Sequence, residues 1–235
     1  MSIRYIFFDL DGTLLPMDQD QFIRHYLGSL SEHMTPHGFE PQQFIKTIWT
    51  GTAKMFQNNG SKTNEQVFWD NFLNTYGLEA RGYEPIFENF YHTDFFKVQA
   101  SCGFDPKASQ TVKALKSMGF KIVLATQPIF PAIATETRME WAGLDRNDFE
   151  IYTTYENSHF CKPNPAYYQE ILTKLGISAD ECLMVGNDTT EDMVAQTIGM
   201  NVFLLTDCLI NKNNLDLSKY PQGNLDALLD YIQSM

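Results

Sequence analysis

Long apolar runs are missing from this 235-residue chain, and no stretch approaches the ~20 consecutive apolar residues that a membrane-spanning helix needs. Positive charge is scarce too. Lys and Arg number 17 against 29 Asp and Glu, a formal net charge of −12, and no basic stripe interrupts the acidic balance. A nucleic-acid backbone or an anionic membrane surface would be repelled, so neither is expected as a partner. Cysteine is sparse and dispersed: Cys102, Cys161, Cys182 and Cys208 form no C-x-x-C pair, which argues against a zinc site or a disulfide framework. After Met1-Ser2-Ile3-Arg4 the chain turns straight to strand-like sequence, without the basic region, apolar core and cleavage site of a secretory signal. A reduced, cytoplasmic protein is the expectation. Internal repeats and low-complexity tracts are also absent.

What is present is an ordinary globular balance, 43% hydrophobic and 20% charged, in a chain long enough for one large domain or a core with a smaller insertion. The stretch Ile6-Phe7-Phe8-Asp9-Leu10-Asp11-Gly12-Thr13 organises the rest. Its apolar half suits a strand covered on both faces of a parallel sheet, and it ends in two carboxylates whose i, i+2 spacing puts them on one face. Like charges held that close need a cation or a shared proton. A bare D-x-D would more often be an acidic loop; this one follows a buried strand and precedes a glycine turn.

From about residue 17 to 95 the apolar spacing is helical, with Phe22, Ile23, Tyr26 and Leu27 as its first repeat, and turns fall near Pro36-His37-Gly38, Asn59-Gly60 and Gly77. A further aromatic helix is expected from about Glu84 to Phe96. Residues 17–95 therefore read as an all-helical unit inserted between 1–16 and 96–235. Beyond Asp105-Pro106 helix and strand alternate. Expected strands are Lys121 to Ala125, Glu150 to Tyr155, Cys182 to Val185 and Val202 to Leu205; expected helices include Phe130 to Ala142, Pro165 to Leu175 and Thr190 to Ile198. That alternation predicts an α/β fold with a doubly wound, Rossmann-like parallel sheet.

Each apolar strand of the second part ends in a polar group, and open α/β sheets bind ligands at that edge. Thr126 follows one strand and Gly186-Asn187-Asp188 another, with Cys161-Lys162-Pro163 between them. Carboxylates sharing such a site suggest a hard cation, and Mg²⁺ suits few protein ligands with room for water. Asp9 would then be poised as a nucleophile and Asp11 could exchange protons, while Thr126 and Lys162 would hold the oxygens of a phosphoryl group. Taken singly, Thr126 is an ordinary strand-end hydroxyl, Lys162 a surface lysine and Asp188 to Asp192 an acidic helix start. His33 and His37 are separated by Pro36 and read as turn residues. Cys161 beside Lys162 reads as buried, and Trp49 and Trp69 as helical core.

In this order the motifs resemble the haloacid dehalogenase superfamily of phosphohydrolases over essentially the whole chain. Asp9-Leu10-Asp11-Gly12-Thr13 is similar to its first motif, Thr126 to its second, Lys162 to its third, and Gly186-Asn187-Asp188 through Asp192 to its fourth. The resemblance implies an aspartyl-phosphate intermediate on Asp9, with Asp11 protonating the leaving group and then activating water. It implies phosphoryl binding by Thr126 and Lys162, and Mg²⁺ held by Asp9, the carbonyl of Asp11, and Asp188. Asp192 would support the metal's water shell or orient Lys162. An insertion between the first two motifs implies a helical cap of the C1 type over 17–95. Two departures stand out: Gln127 replaces the usual Asn after Thr126, and Asn187 intervenes before Asp188.

The function implied is Mg²⁺-dependent hydrolysis of a small phosphorylated metabolite. A phosphomutase of the β-phosphoglucomutase type shares the chemistry, and a non-catalytic phosphate-binding scaffold would keep the fold alone. A dehalogenase is disfavoured because Asp11 has no role with a halide leaving group. A receiver-type signalling domain is disfavoured by the Asp9 to Asp11 spacing and the inserted helices.

Overall fold

Tyr5, Ile6, Phe7 and Phe8 form β1 (Tyr5–Phe8), and all four are buried, as befits a strand covered on both faces. The computed structural model describes residues 3–235 and places β1 at the middle of the sheet. Its neighbours are β2 (Lys121–Leu124), flanked by β3 (Ile151–Tyr152), and β4 (Cys182–Gly186), followed by β5 (Asn201–Leu205) and β6 (Gln222–Gly223). All pair in parallel, in the order β3-β2-β1-β4-β5-β6. Phe8 lies level with Leu124 on one side and Val185 on the other, so the three central strands finish together. Whatever follows them in sequence emerges at one edge.

The alternation of side chains along the strands separates two apolar layers. Ile6, Phe8, Leu124 and Val185 face α5 (Pro106–Ser117), α6 (Ala132–Trp141) and α8 (Leu225–Gln233), whereas Tyr5, Phe7, Val123 and Met184 face α7 (Pro165–Leu175). This is the α/β architecture anticipated. No helix among the described residues is long and apolar enough to cross a membrane.

Between β1 and β2 lie α1 (Gln19–Met34), α2 (Pro41–Phe56), α3 (Asn64–Tyr76) and α4 (Glu84–His92). Side-chain caps start the first three: Asp18 on Gln21, Glu40 on Gln42 and Gln43, and a reciprocal Thr63/Gln66 capping box. Caps contribute about 1 kcal/mol each, whereas each fully buried phenylalanine contributes roughly 1.5–3 kcal/mol. The aromatic core therefore dominates, with Phe44, Phe72 and Phe90 wholly excluded from solvent. That core is continuous with the layer under the sheet. Phe95 packs against Trp141 of α6 with 4.9 Å between centroids, and Phe22 meets Phe130 at 6.1 Å.

Asn64, fully buried at the start of α3, ties the helical segment to the loops beyond the sheet. Its Nδ2 donates to the Pro128 carbonyl at 3.1 Å, and its backbone N–H donates to the Ser158 carbonyl at 2.8 Å.

Three expectations about elements are revised. The helix from Glu84 stops at His92, and a 3-10 segment, Asp94–Ser101, takes over, because the Asp94 carboxylate is engaged by His33 at 2.6 Å and Lys97 at 2.5 Å. β3 is only two residues long, since the Tyr155 N–H turns away to the Phe130 carbonyl. After β4 there is no α-helix but a tight turn leading into a 3-10 helix, Met193–Ile198. The short edge strand β6 carries no apolar run and had no signal.

Candidate active site

Asp9 leaves β1 while still in the ladder, its N–H donating to the Val185 carbonyl at 3.0 Å, and its side chain is buried at the sheet edge. The chain then folds back in a turn closed by Leu15 N–H on the Leu10 carbonyl at 2.8 Å. Gly12 makes this turn with φ +87°, and a Cβ there would lie 2.4 Å from Asn187 Nδ2. Asn187 is thus a strut. It accepts from Thr13 Oγ1 at 3.0 Å and donates to the Cys208 carbonyl at 2.7 Å, joining the first turn to the loop after β5. The departure at 187 is accounted for by that structural task.

Lys162, 1% exposed, bridges two carboxylates: Asp9 Oδ1 at 2.8 Å and Asp192 Oδ1 at 2.7 Å. Burial alone would push its pKa down, but Asp192 and Asp9 outweigh burial and hold it well above the ordinary lysine value. The ammonium stays charged. With two anions around one cation, burial and the nearby Asp9 raise Asp192 to about 7 against the pull of Lys162. Gly186 permits this arrangement, because a Cβ on it would sit 2.1 Å from Asp192 Oδ2.

Gln127 explains the second departure. Its Oε1 accepts from the Lys162 N–H at 3.1 Å and its Nε2 donates to the Lys162 carbonyl at 3.1 Å, so one side chain grips both backbone groups of the lysine. The same Nε2 reaches Glu191 Oε2 at 3.0 Å, and burial raises Glu191 to about 7. Thr126 is fixed through its carbonyl, which accepts from Thr153 Oγ1 at 2.7 Å and Tyr167 OH at 2.8 Å. Its own Oγ1 is buried with no partner among the described residues.

Asp11 is paired with Arg138 of α6, which the sequence reading missed. An arginine within an amphipathic helix ordinarily reads as solvated, yet Arg138 is completely buried. Its Nη1 donates to Asp11 Oδ2 and its Nε to the Ala134 carbonyl at 3.2 Å, while the guanidinium lies 4.3 Å over the Phe130 ring. Asp11 Oδ1 is buried and unpartnered among the described residues. Burial raises the Asp11 pKa, Asp9 adds to that, and Arg138 opposes it. Replacing Arg138 by Met keeps the bulk but leaves Asp11 without its counterion. The expected loss is about 3 kcal/mol of stability by urea unfolding. A change under about 0.5 kcal/mol would show that the pair is not needed.

Asp188 stands at the next turn and is less buried. Its Oδ1 accepts from the Thr190 N–H at 2.6 Å and the Glu191 N–H at 2.9 Å, and its own N–H donates to Asp192 Oδ2 at 3.0 Å. These bonds hold the turn that leads into the 3-10 segment Met193–Ile198. They also leave Asp188 Oδ2, like Asp9 Oδ2, without a protein hydrogen bond among the described residues. No three His, Cys, Asp or Glu side chains among the described residues form a metal-binding group. A cation here would draw on two carboxylates and a backbone carbonyl instead. His33 is taken by Asp94, and Cys161 is buried with its thiol pKa pushed up by burial, so neither joins the site.

The structure thus gathers Asp9, Asp11, Thr126, Gln127, Lys162 and Asp192 at the carboxyl edge of the sheet, with Asp188 on the adjoining turn. The chain is 23% identical to pyrophosphatase PpaX of Bacillus cereus (strain AH820) over 233 residues, covering 99% of this chain and 96% of that one. Among solved structures, 2-haloacid dehalogenase from Pseudomonas syringae pv. Tomato DC3000 superposes with a TM-score of 0.62 at 17% identity, covering 99% and 98% of the two chains. The HAD-hydrolase YfnB from Bacillus subtilis, in a form bound to magnesium, superposes with a TM-score of 0.56 at 19% identity, covering 99% of each. Phosphatase and dehalogenase names thus share this fold. The family model for haloacid dehalogenase-like hydrolases matches residues 3–195, from β1 through the last of the gathered carboxylates, and the chain belongs to that family of hydrolases.

Proposed function

We propose that the chain is a Mg²⁺-dependent phosphatase of small phosphorylated metabolites. The observation that carries this reading is the buried cluster in which Lys162 grips Asp9 while Thr126 Oγ1 and Asp11 Oδ1 stand unpartnered beside it. Buried polar atoms normally have partners. A phosphoryl group supplies the missing ones, accepting from Thr126 and Lys162. Asp9 attacks phosphorus with its free oxygen as the bond from phosphorus to the leaving oxygen breaks, and Asp11 gives the leaving oxygen its proton, releasing the alcohol. In the second half Asp11 takes a proton from water as the water attacks the phosphoaspartate, releasing inorganic phosphate and restoring Asp9. The raised pKa of Asp11 suits a group that must carry a proton, and Asp11 also separates this reading from dehalogenation.

Asp9, the Asp11 carbonyl and Asp188 present hard oxygens with lone pairs to spare, and this donor set fits Mg²⁺. Such an ion would neutralise charge on the phosphoryl oxygens and keep Asp9 ionised. Asp192 orients Lys162, and Gln127 fixes its backbone. In this reading the helices of 17–95 act as a cap that excludes water while the phosphoaspartate forms. The pyrophosphatase name of the Bacillus relative accords with phosphoryl hydrolysis.

Release of inorganic phosphate from a panel of phosphomonoesters tests the proposal. Turnover is expected with Mg²⁺, falling at least about 100-fold in EDTA and returning when Mg²⁺ is restored. Turnover indifferent to EDTA, or none across the panel, would overturn it.

A further inference from the structure

A cavity of about 400 Å³ runs from Asp11, Gln127 and Glu191 into the helical segment. Ligand pockets of roughly 300–1,000 Å³ take molecules with ring systems, far more than a two-carbon acid or a second phosphate requires. Aromatic side chains from each of α1 to α4 reach it: Phe22 and Tyr26 from α1, Trp49 from α2, Trp69 from α3, and Phe87 and Tyr91 from α4.

Several polar groups along the same wall already have protein partners, whereas Trp69 Nε1 is buried without a hydrogen bond among the described residues. The Tyr26 and Tyr91 hydroxyls are 2.9 Å apart and bond each other, Thr52 Oγ1 donates to the Ile48 carbonyl at 3.0 Å, and Gln127 holds Lys162 and Glu191. A sugar would find few partners for its hydroxyls. Charge is unfavourable to a second anion as well. Lys212, exposed, is the one Lys or Arg among the described lining residues, against the acids Asp11, Asp20 and Glu191.

We propose that the alcohol half of the substrate is a neutral aromatic ring system, seated in this cavity among Phe22, Trp49 and Trp69. The inference rests on the phosphatase reading and narrows its substrate to arylalkyl phosphomonoesters. A pyrophosphate or a phosphorylated carboxylic acid would place its second negative charge among aromatic faces and carboxylates. Desolvating that charge without a partner costs more than the contact returns. A flat neutral ring loses no hydrogen bonds on entry and gains offset or edge-on contacts.

Two measurements, both with Mg²⁺ present, keep this inference separate from the reading beneath it. The first is kcat/KM for 2-naphthylmethyl phosphate, 2-phosphoglycolate and pyrophosphate. The naphthylmethyl ester is expected to lead by at least about 100-fold. Turnover that favours either anionic compound would overturn the aromatic assignment and leave the phosphatase reading standing. The second is calorimetric binding of 2-naphthylmethylphosphonate and phosphonoacetate, which needs no catalysis. The aryl phosphonate is expected to bind at least about 30-fold more tightly. Equal or reversed affinities would overturn the assignment. Selective binding with no turnover of any ester would retain the cavity's preference and overturn the phosphatase reading. Trp49→Ala locates the ring: Trp49 is 48% exposed, so the variant should fold. Its affinity for the aryl phosphonate should drop about 10-fold with phosphonoacetate unchanged. Unchanged aryl affinity would place the ring outside this cavity and overturn the proposal.

Discussion

Asp9→Asn is expected to lower phosphate release at least about 10,000-fold while leaving a folded protein. An amide of the same shape is a poor nucleophile, and in this reading the neighbouring Asp11 carries the proton and does not attack phosphorus. Asp11 Oδ2 is held by Arg138, and both oxygens of Asp192 are engaged, one by Lys162 and the other by the Asp188 N–H. The fold should tolerate the change for a reason visible in the same cluster. Lys162 keeps Asp192 at 2.7 Å and can still donate to the new amide's carbonyl, so the cost is about 1–2 kcal/mol. Phosphate release, thermal unfolding and intact mass check the three parts together, the last excluding deamidation back to Asp. Substantial turnover by a variant of verified mass would remove Asp9 as the nucleophile.

Asp9 and Asp11 were legible because two physical signals coincide there. A buried strand announces itself by unbroken apolar sequence, and carboxylates at its end are costly enough to need a purpose. Lys162 and Thr126 were legible only through their order along the chain and their places after strands. Neither residue type is unusual by itself. Arg138 had no such signal. Its burial depends on a charge 127 positions earlier in sequence and on the ring face of Phe130, and no local pattern encodes a partner at that distance. Gln127 and Asn187 were seen as departures, yet their tasks are set by what lies opposite: the backbone of Lys162 for one, Thr13 and Cys208 for the other.

The same distinction runs through the fold. The central strands and α7 follow directly from apolar runs and flanking caps, as with Asn164 on the Ala166 N–H and Gly176 closing the helix. Elements that fail are those where side chains divert the backbone. The helix expected from Thr190 is replaced by a turn held by the Asp188 carboxylate and a 3-10 segment, Met193–Ile198, and Asp94 is held by His33 from a helix far away in sequence. Local propensity loses to a hydrogen bond whose partner is fixed by the tertiary structure.

Lys162→Met should be the most destabilising single change at the site, by about 3–5 kcal/mol at neutral pH. The side chain is 1% exposed, and the two carboxylates it separates are 9% and 2% exposed, so water cannot take over its role. Without the ammonium, Asp9 and Asp192 repel each other in a low-dielectric site, and the folded state responds by binding a proton. The direction with pH follows. Asp192 already titrates at about 7 in the folded chain, above its ordinary 3.8, and losing Lys162 removes the main influence that lowers it. A carboxyl whose folded pKa is raised keeps its contribution at low pH and loses it as pH rises from about 4 through the folded value. Relative to its parent, the metal-free variant should therefore show in urea unfolding a deficit that grows chiefly above about pH 7, where the parent's Asp192 ionises beside Lys162 and the variant's does not. Adding Asp192→Asn should flatten that slope and recover part of the loss, because one buried carboxylate has no like-charged neighbour to oppose. A Lys162→Met protein as stable as its parent at about pH 8 would mean that Asp9 and Asp192 are not held together by this lysine, and the electrostatic account of the site would have to be abandoned.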